Sequence, residues 1–372
     1  MNESEDPVAA PTQSAAAVEA LAAAAPVAPG ASAEVMPFTF TGRTSEYFRI
    51  WAVSLALSIL TLGVYSAWGK VRKKRYLCHH MRLAGDGFDF RGSPLAVLRG
   101  RVIAVVLLGG IALGSHLMVE IQVAFIVLLV LLTPWIAVAS ARFNARNTYY
   151  RNIAFDFDGR LGAAIKVFLG FGALALVTLG LAYPWFRATR ARFLVTGHRY
   201  GATPFVARIG TGEFVLVYLL AAVAVVGCAA AFGFASALLF TAHRGAASDR
   251  GSSTGFLVAL GLFYASYFVV FAFVRARTQN LIANGTLVGP LRLQSELRGA
   301  RLSWLYLTNA IVVVATLALA TPWAVMRLAR YRARTLTLLA SAPLATLAGA
   351  SPGNATATGA EVSDLFDVDV AL

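Results

Sequence analysis

A tryptophan followed seven residues later by an arginine recurs along this chain, each time at the end of an apolar stretch. Trp68, Trp135, Trp185 and Trp323 stand at that spacing before Arg75, Arg142, Arg192 and Arg330. Arg75, Arg142 and Arg192 in turn stand thirteen residues before Phe88, Phe155 and Phe205. Proline precedes three of the tryptophans, as Pro134, Pro184 and Pro322. One unit of apolar span, Pro-Trp, basic helix and short strand has been copied about five times. A repeat of this kind is built by packing one supersecondary unit against the next. Because the spans approach 20 apolar residues, the unit is a membrane unit.

Composition agrees. Charged residues make up 13% of the chain and hydrophobic ones 58%, whereas a soluble domain carries about 25% charged residues. The net charge of +14 is gathered at span ends, where anionic headgroups neutralise it. It is not interleaved with stacking aromatics on a polar domain, so nucleic acid is not the expected partner. Cys78 and Cys228 have no ligand or redox spacing. Residues 1–36 are Ala/Pro-rich and acidic, lack the pattern of a signal peptide, and are expected to be disordered. Residues 340–372 read the same way.

Seven spans are expected, at 47–67, 102–119, 121–141, 164–186, 214–240, 255–274 and 303–325. FTFTG (38–42), FDFRG (88–92), FDFDG (155–159) and the looser FVARIG (205–210) alternate apolar and polar residues before a glycine. This is a strand-and-turn pattern placed outside the bilayer. In the fourth copy Phe271, Thr278 and Leu291 take the tryptophan, arginine and phenylalanine positions. Thr61-Leu62-Gly63, Thr178-Leu179-Gly180 and Thr316-Leu317-Ala318 begin seven residues before a tryptophan, in spans one, four and seven only. The larger unit would then hold three spans, an odd number, so its second copy would enter the membrane inverted. The expected fold is an all-α integral membrane protein with about seven transmembrane helices in a 3+3+1 inverted-repeat arrangement and short extramembrane strands. The units would be 37–160, 161–295 and 296–339. The densest basic cluster, Lys70 to Arg75, would be cytoplasmic and the N-terminus outside.

FTFTG with Glu46-Tyr47-Phe48, TLGVYSAWGKVRKKRY (61–76) and FDFRGSP (88–94) together resemble the YjgN-like family of bacterial inner-membrane proteins, a domain of unknown function. The resemblance runs over about residues 38–334. It implies a polytopic inner-membrane protein and supplies no catalytic residues.

The individual motifs point to architecture more than to chemistry. Cys78-His79-His80 cannot chelate as an i, i+4 pair would, and no metal or cofactor is expected. Trp68, Trp135, Trp185 and Trp323 read as interfacial anchors. Arg75, Arg142, Arg192 and Arg330 read as contacts to anionic lipid, or more sharply as an anion site. Gly110 and Gly114 allow close helix packing. No ionisable group lies at the centre of a span, Asn309 being the most polar interior residue, which argues against ion-coupled transport. Nor is there a nucleophile–base pair or a nucleotide fingerprint, so no enzyme is expected. The expected roles are a small-solute permease or a lipid- or anion-binding membrane protein. The alternative is a scaffold that docks partners by strand addition to FxFxG.

Overall fold

The computed structural model describes residues 34–243 and 249–341; both expected disordered tails fall almost wholly outside them. The order strand, helix, helix, strand occurs five times. The first unit comprises β1 (Glu34–Phe40), α1 (Thr44–Leu60), α2 (Ser66–His80) and β2 (Met81–Leu83). The second is β3 (Asp86–Phe90), α3 (Pro94–Leu117), α4 (Val119–Arg146) and β4 (Thr148–Tyr150). The third is β5 (Ile153–Phe157), α5 (Leu161–Val177, with a π-helical stretch at Lys166–Phe171), α6 (Tyr183–Gly197) and β6 (His198–Tyr200). The fourth is β7 (Thr203–Ala207), α7 (Thr211–His243), α8 (Asp249–Asn284) and β8 (Thr286–Val288). The fifth is β9 (Leu291–Ser295), α9 (Gly299–Ala315), α10 (Thr321–Arg334) and β10 (Leu336–Ala340).

The ten strands form one closed antiparallel barrel. β1 and β10 close it, pairing Glu34 with Ala340 and Pro37 with Thr337. An all-α fold is therefore wrong. Five short strand pairs that could not bury an apolar face singly bury it together, and closure leaves no unpaired edge. The equivalent inward pairs are Phe38–Leu83, Phe88–Tyr150, Phe155–Tyr200, Phe205–Val288 and Leu293–Leu338. Their side chains join one core, with rings such as Phe88 and Tyr150 (4.8 Å) and Phe155 and Tyr200 (5.0 Å) in contact. The Tyr200 hydroxyl donates to the Tyr150 carbonyl (3.0 Å), and the Tyr150 hydroxyl to the Leu83 carbonyl (2.9 Å). Ion pairs decorate the barrel: Arg151–Asp86 and Arg146–Asp156 at 2.6 Å, Arg199–Asp158 at 2.8 Å. A transmembrane barrel would be apolar outside, whereas this one carries these ion pairs on its strands and turns.

Tight turns join β2 to β3, β4 to β5, β6 to β7 and β8 to β9. Every helical hairpin therefore leaves and re-enters the same end of the barrel. Each hairpin's second helix packs on the next hairpin's first, and α10 packs on α1 to complete the ring. This overturns the inverted repeat. An inverted copy would put alternate basic segments on opposite faces, yet β1 and the segments after Trp68 and Trp185 all feed one barrel.

Seven crossing helices are also wrong. Four helices are long and apolar enough to span: Pro94–Gly114, Val119–Arg146, Thr211–Leu238 and Gly255–Asn284. They match the second, third, fifth and sixth expected spans. The first, fourth and seventh each reverse direction inside the run, at Leu62, Leu179 and Leu317, so each is a short hairpin. A run of apolar residues has the same composition whether it continues or folds back.

The strand register also moves the fourth copy by two residues. Val288 pairs with Leu291, as Tyr150 pairs with Ile153, so Leu293 is the counterpart of Phe155. The thirteen- and seven-residue spacings then put Asn280 at the arginine position and Phe273 at the tryptophan position.

Candidate lipid interface

Three reversals carry the same turn. Leu62 and Gly63 have φ of 50° and 93°, Leu179 and Gly180 have 51° and 90°, and Leu317 and Ala318 have 47° and 70°. The left-handed region is disfavoured for leucine and alanine, so this geometry is held by what surrounds it. The threonine holds it. Thr61 Oγ1 donates to the Leu57 carbonyl (2.7 Å) and accepts from the Tyr65 amide (2.9 Å). Thr178 does so with Leu174 (2.7 Å) and Ala182 (3.0 Å), and Thr316 with Val312 (2.7 Å) and Ala320 (3.1 Å).

The remaining amides of each turn are also donated within it. Thr61 donates to Leu57, Leu62 to Ile59, Gly63 to Ser58, Val64 to Thr61 and Ser66 to Gly63. The third and fifth units repeat the set, with Gly180 reaching Ala175 and Ala318 reaching Val313, both at 2.7 Å. The side chains point the other way. Leu62 is 96% exposed, Leu179 95% and Leu317 89%, with Leu60, Leu176, Val177, Leu181 and Val314 also strongly exposed. A turn whose amides are satisfied and whose surface is leucine and valine suits hydrocarbon.

Below the tips stand the tryptophans. Trp135, Trp185 and Trp323 are exposed, while Trp68 is half-buried against the cluster of Ala67, Val71, Phe90 and Phe143. The prolines before them are buried where α6 and α10 begin and inside α4.

The repeated arginines are inter-unit clasps. Arg75 Nε donates to the Phe90 carbonyl (3.0 Å), Arg142 Nε to Phe157 (3.3 Å) and Arg192 Nε to Ile209 (2.8 Å). Arg192 also bonds the Thr211 hydroxyl. Arg330 reaches Gly42 (3.2 Å) and Thr44 Oγ1 (3.1 Å). In each case the second helix of one unit holds the end of the first strand of the next, or the loop that follows it. Asn280 does this in the fourth unit: its Nδ2 donates to the Leu297 carbonyl (2.9 Å), and its Oδ1 accepts from the Leu297 amide (2.9 Å) and Ser295 Oγ (2.8 Å). The four arginines are spread around the ring and do not converge.

Some contacts escaped the sequence reading. The Tyr76 hydroxyl accepts from the Arg43 amide (2.9 Å) and Tyr331 from the Arg298 amide (3.0 Å). Each ties down the entry to its own hairpin. Both tyrosines stand eight residues after a tryptophan, a signal the sequence does contain. In Cys78-His79-His80, His80 Nδ1 lies 2.8 Å from the Tyr76 carbonyl, and burial pushes the Cys78 thiol up against the opposing pull of Lys74. Among the described residues, no group of three or more His, Cys, Asp or Glu is placed to hold a metal.

Residues 35–365 match the family described as bacterial protein of unknown function (DUF898). The Inner membrane protein YjgN of Salmonella typhimurium is 20% identical over 329 residues, covering 76% of this chain and 83% of that protein. Its namesake in Escherichia coli K12 is 40% identical over 53 residues, 14% of this chain and 13% of that protein. No solved structure gives a significant match.

Proposed function

The chain belongs to the DUF898 family of bacterial proteins of unknown function, and from that premise we propose a non-catalytic, lipid-binding role for it. It is a multi-pass protein of the bacterial inner membrane, as its relatives' names and its four long apolar helices indicate. The barrel is the water-exposed base, and the helical ring above it meets lipid. The observation that carries the reading is the placement of charge. Among the described lysines and arginines, only Arg250, in the first turn of α8, lies at the end of a long hairpin that is remote from the barrel. The others among the described residues lie in the barrel, its turns, the short hairpins and the barrel-side part of the long helices, a basic collar on one side of the ring. By the positive-inside rule the barrel is cytoplasmic, where the leaflet's anionic headgroups meet that collar.

Neither rival reading gains from the geometry. The barrel interior is filled by aromatic and aliphatic side chains, so it offers no aqueous path for a solute. All ten strands are paired on both sides, so strand addition has no edge to use.

The test is lipid retention. The full chain is reconstituted in nanodiscs of phosphatidylglycerol with phosphatidylcholine, extracted into detergent, and weighed with its bound lipids by native mass spectrometry. Enrichment of phosphatidylglycerol over its bulk fraction, diminishing as salt rises, is expected. Bound lipid matching the bulk composition at low salt would reject the reading.

A further inference from the structure

We infer that the three short hairpins end inside the hydrocarbon of the cytoplasmic leaflet, as apolar wedges that do not cross, and that their partner is the acyl-chain layer. The inference rests on the inner-membrane reading above and adds where the tips stop.

Three observations bound the depth. First, no charged residue occurs between Arg49 and Lys70, between Lys166 and Arg187, or between Arg301 and Arg327. The first two stretches are 20 residues long, the third 25. Run straight, each would cross. Folded at Leu62, the first stretch leaves 11 residues (50–60) on one limb and four (66–69) on the other, and the longer limb rises ~16 Å at 1.5 Å per residue. That is about half of a ~30 Å hydrocarbon core.

Second, each tip leucine stands six residues before its tryptophan: Leu62 before Trp68, Leu179 before Trp185, Leu317 before Trp323. With the rings at the headgroup boundary, the tips reach at most ~9 Å into the core. The long hairpins behave differently. Sixteen residues separate Val119 from Trp135, a rise of ~24 Å, which approaches the far side.

Third, the turns fit this destination chemically. A helix reversal in water can leave some of its orphan amides to solvent, an option that hydrocarbon does not offer. Here the threonine and the left-handed pair satisfy those amides internally, while leucines near full exposure surround them. In water such tips would form apolar patches without cover. In acyl chains they bury apolar surface and leave no amide unmatched.

The experiment uses the full chain in phosphatidylglycerol–phosphatidylcholine vesicles, with Cys78→Ser and Cys228→Ala as background. Single cysteines replace Leu62, Leu179, Leu317, Arg82 on the barrel and Glu120 at a long hairpin's tip. Each carries a nitroxide, and collision with oxygen and with a water-soluble nickel chelate is read. The three tips should collide freely with oxygen and be shielded from nickel on both sides. Their depth should be nearer the headgroups than the bilayer centre. Arg82 and Glu120 should meet nickel, from opposite sides of the membrane. Tip labels as open to nickel as the Arg82 label would overturn the inference, and so would tips reachable from the Glu120 side. If the Arg82 and Glu120 labels meet nickel from the same side, the membrane placement itself fails, which is a separate result.

Discussion

The Arg330 guanidinium donates to the carbonyl of Gly42, 288 positions earlier in the chain. It is the same clasp that Arg75 makes on Phe90, and it ties the last hairpin to the first. Strand closure between β1 and β10 lies beneath it, so the ring is fastened at two levels.

A charged donor on a partly buried carbonyl contributes about 1.5–3 kcal/mol. Arg75→Ala, Arg142→Ala, Arg192→Ala and Arg330→Ala should each destabilise the protein by that order, and Asn280→Ala comparably. Thr278→Ala should cost less, since its hydroxyl serves only its own helix. Thermal unfolding in lipid-free detergent is the measurement. A full loss there, with no weakening in high salt, is expected of clasps. If Arg→Ala lowers stability only when anionic lipid is present, headgroup contact is the whole role of these arginines.

Inside the barrel, burial raises the Tyr200 hydroxyl from an ordinary value near 10 to about 12, with Tyr150 adding to the rise and Arg151 opposing it. The folded state therefore holds this proton more tightly than the unfolded chain. Its contribution to stability is complete below pH 10 and is lost as pH rises toward about 12. Denaturant titrations across that interval should show a falling midpoint. Tyr200→Phe should lower stability at neutral pH by about 1 kcal/mol, through the lost bond to Tyr150, and should make the alkaline decline shallower. An alkaline decline unchanged in Tyr200→Phe would assign it to other groups.

Much of this architecture was legible in the sequence because it is local. The Trp–Arg–Phe spacings each report one helix and the strand pair that follows it, and the FxFxG alternation marks strands that do exist. What the sequence hid is non-local or directional. Nothing near Glu34 announces Ala340 as its partner. The reversal at Thr61-Leu62-Gly63 leaves hydropathy untouched, so three hairpins looked like three spans. In the fourth unit the arginine is an asparagine, and the strand lacks the phenylalanine that would have fixed its register. Only the pairing of Val288 with Leu291 does so.

The tip threonines should matter more in lipid than in micelles. Thr178→Val keeps the shape but removes the acceptor for the Ala182 amide. An amide left unpaired in hydrocarbon costs about 1–3 kcal/mol. Thr61→Val and Thr316→Val should behave alike, since Tyr65 and Ala320 lose the same bond. Unfolding followed in nanodiscs should show three similar losses, reduced in detergent where water reaches the tips. Equal losses in both media would mean that the turns are solvated in the membrane as well.

The last prediction concerns shape. Among the described residues, ten helices rise from the barrel but only four are long enough to cross. If the short hairpins stop in the cytoplasmic leaflet, the protein displaces far more lipid there than in the opposite leaflet. Such a wedge fits a membrane that is convex on its barrel side, and lipid packing responds to leaflet-selective insertion. When the chain is reconstituted with the barrel outward, its surface density should rise as vesicle diameter falls. Tethered vesicles of mixed size, with labelled protein and labelled lipid, give that ratio vesicle by vesicle. Replacing Leu62, Leu179 and Leu317 together with serine should shift the tips toward the headgroups and flatten the dependence, while the four crossing helices keep the protein inserted. A density independent of diameter in the unmodified protein would mean that the distal leaflet is filled as well as the proximal one, against the wedge shape inferred from the hairpin lengths.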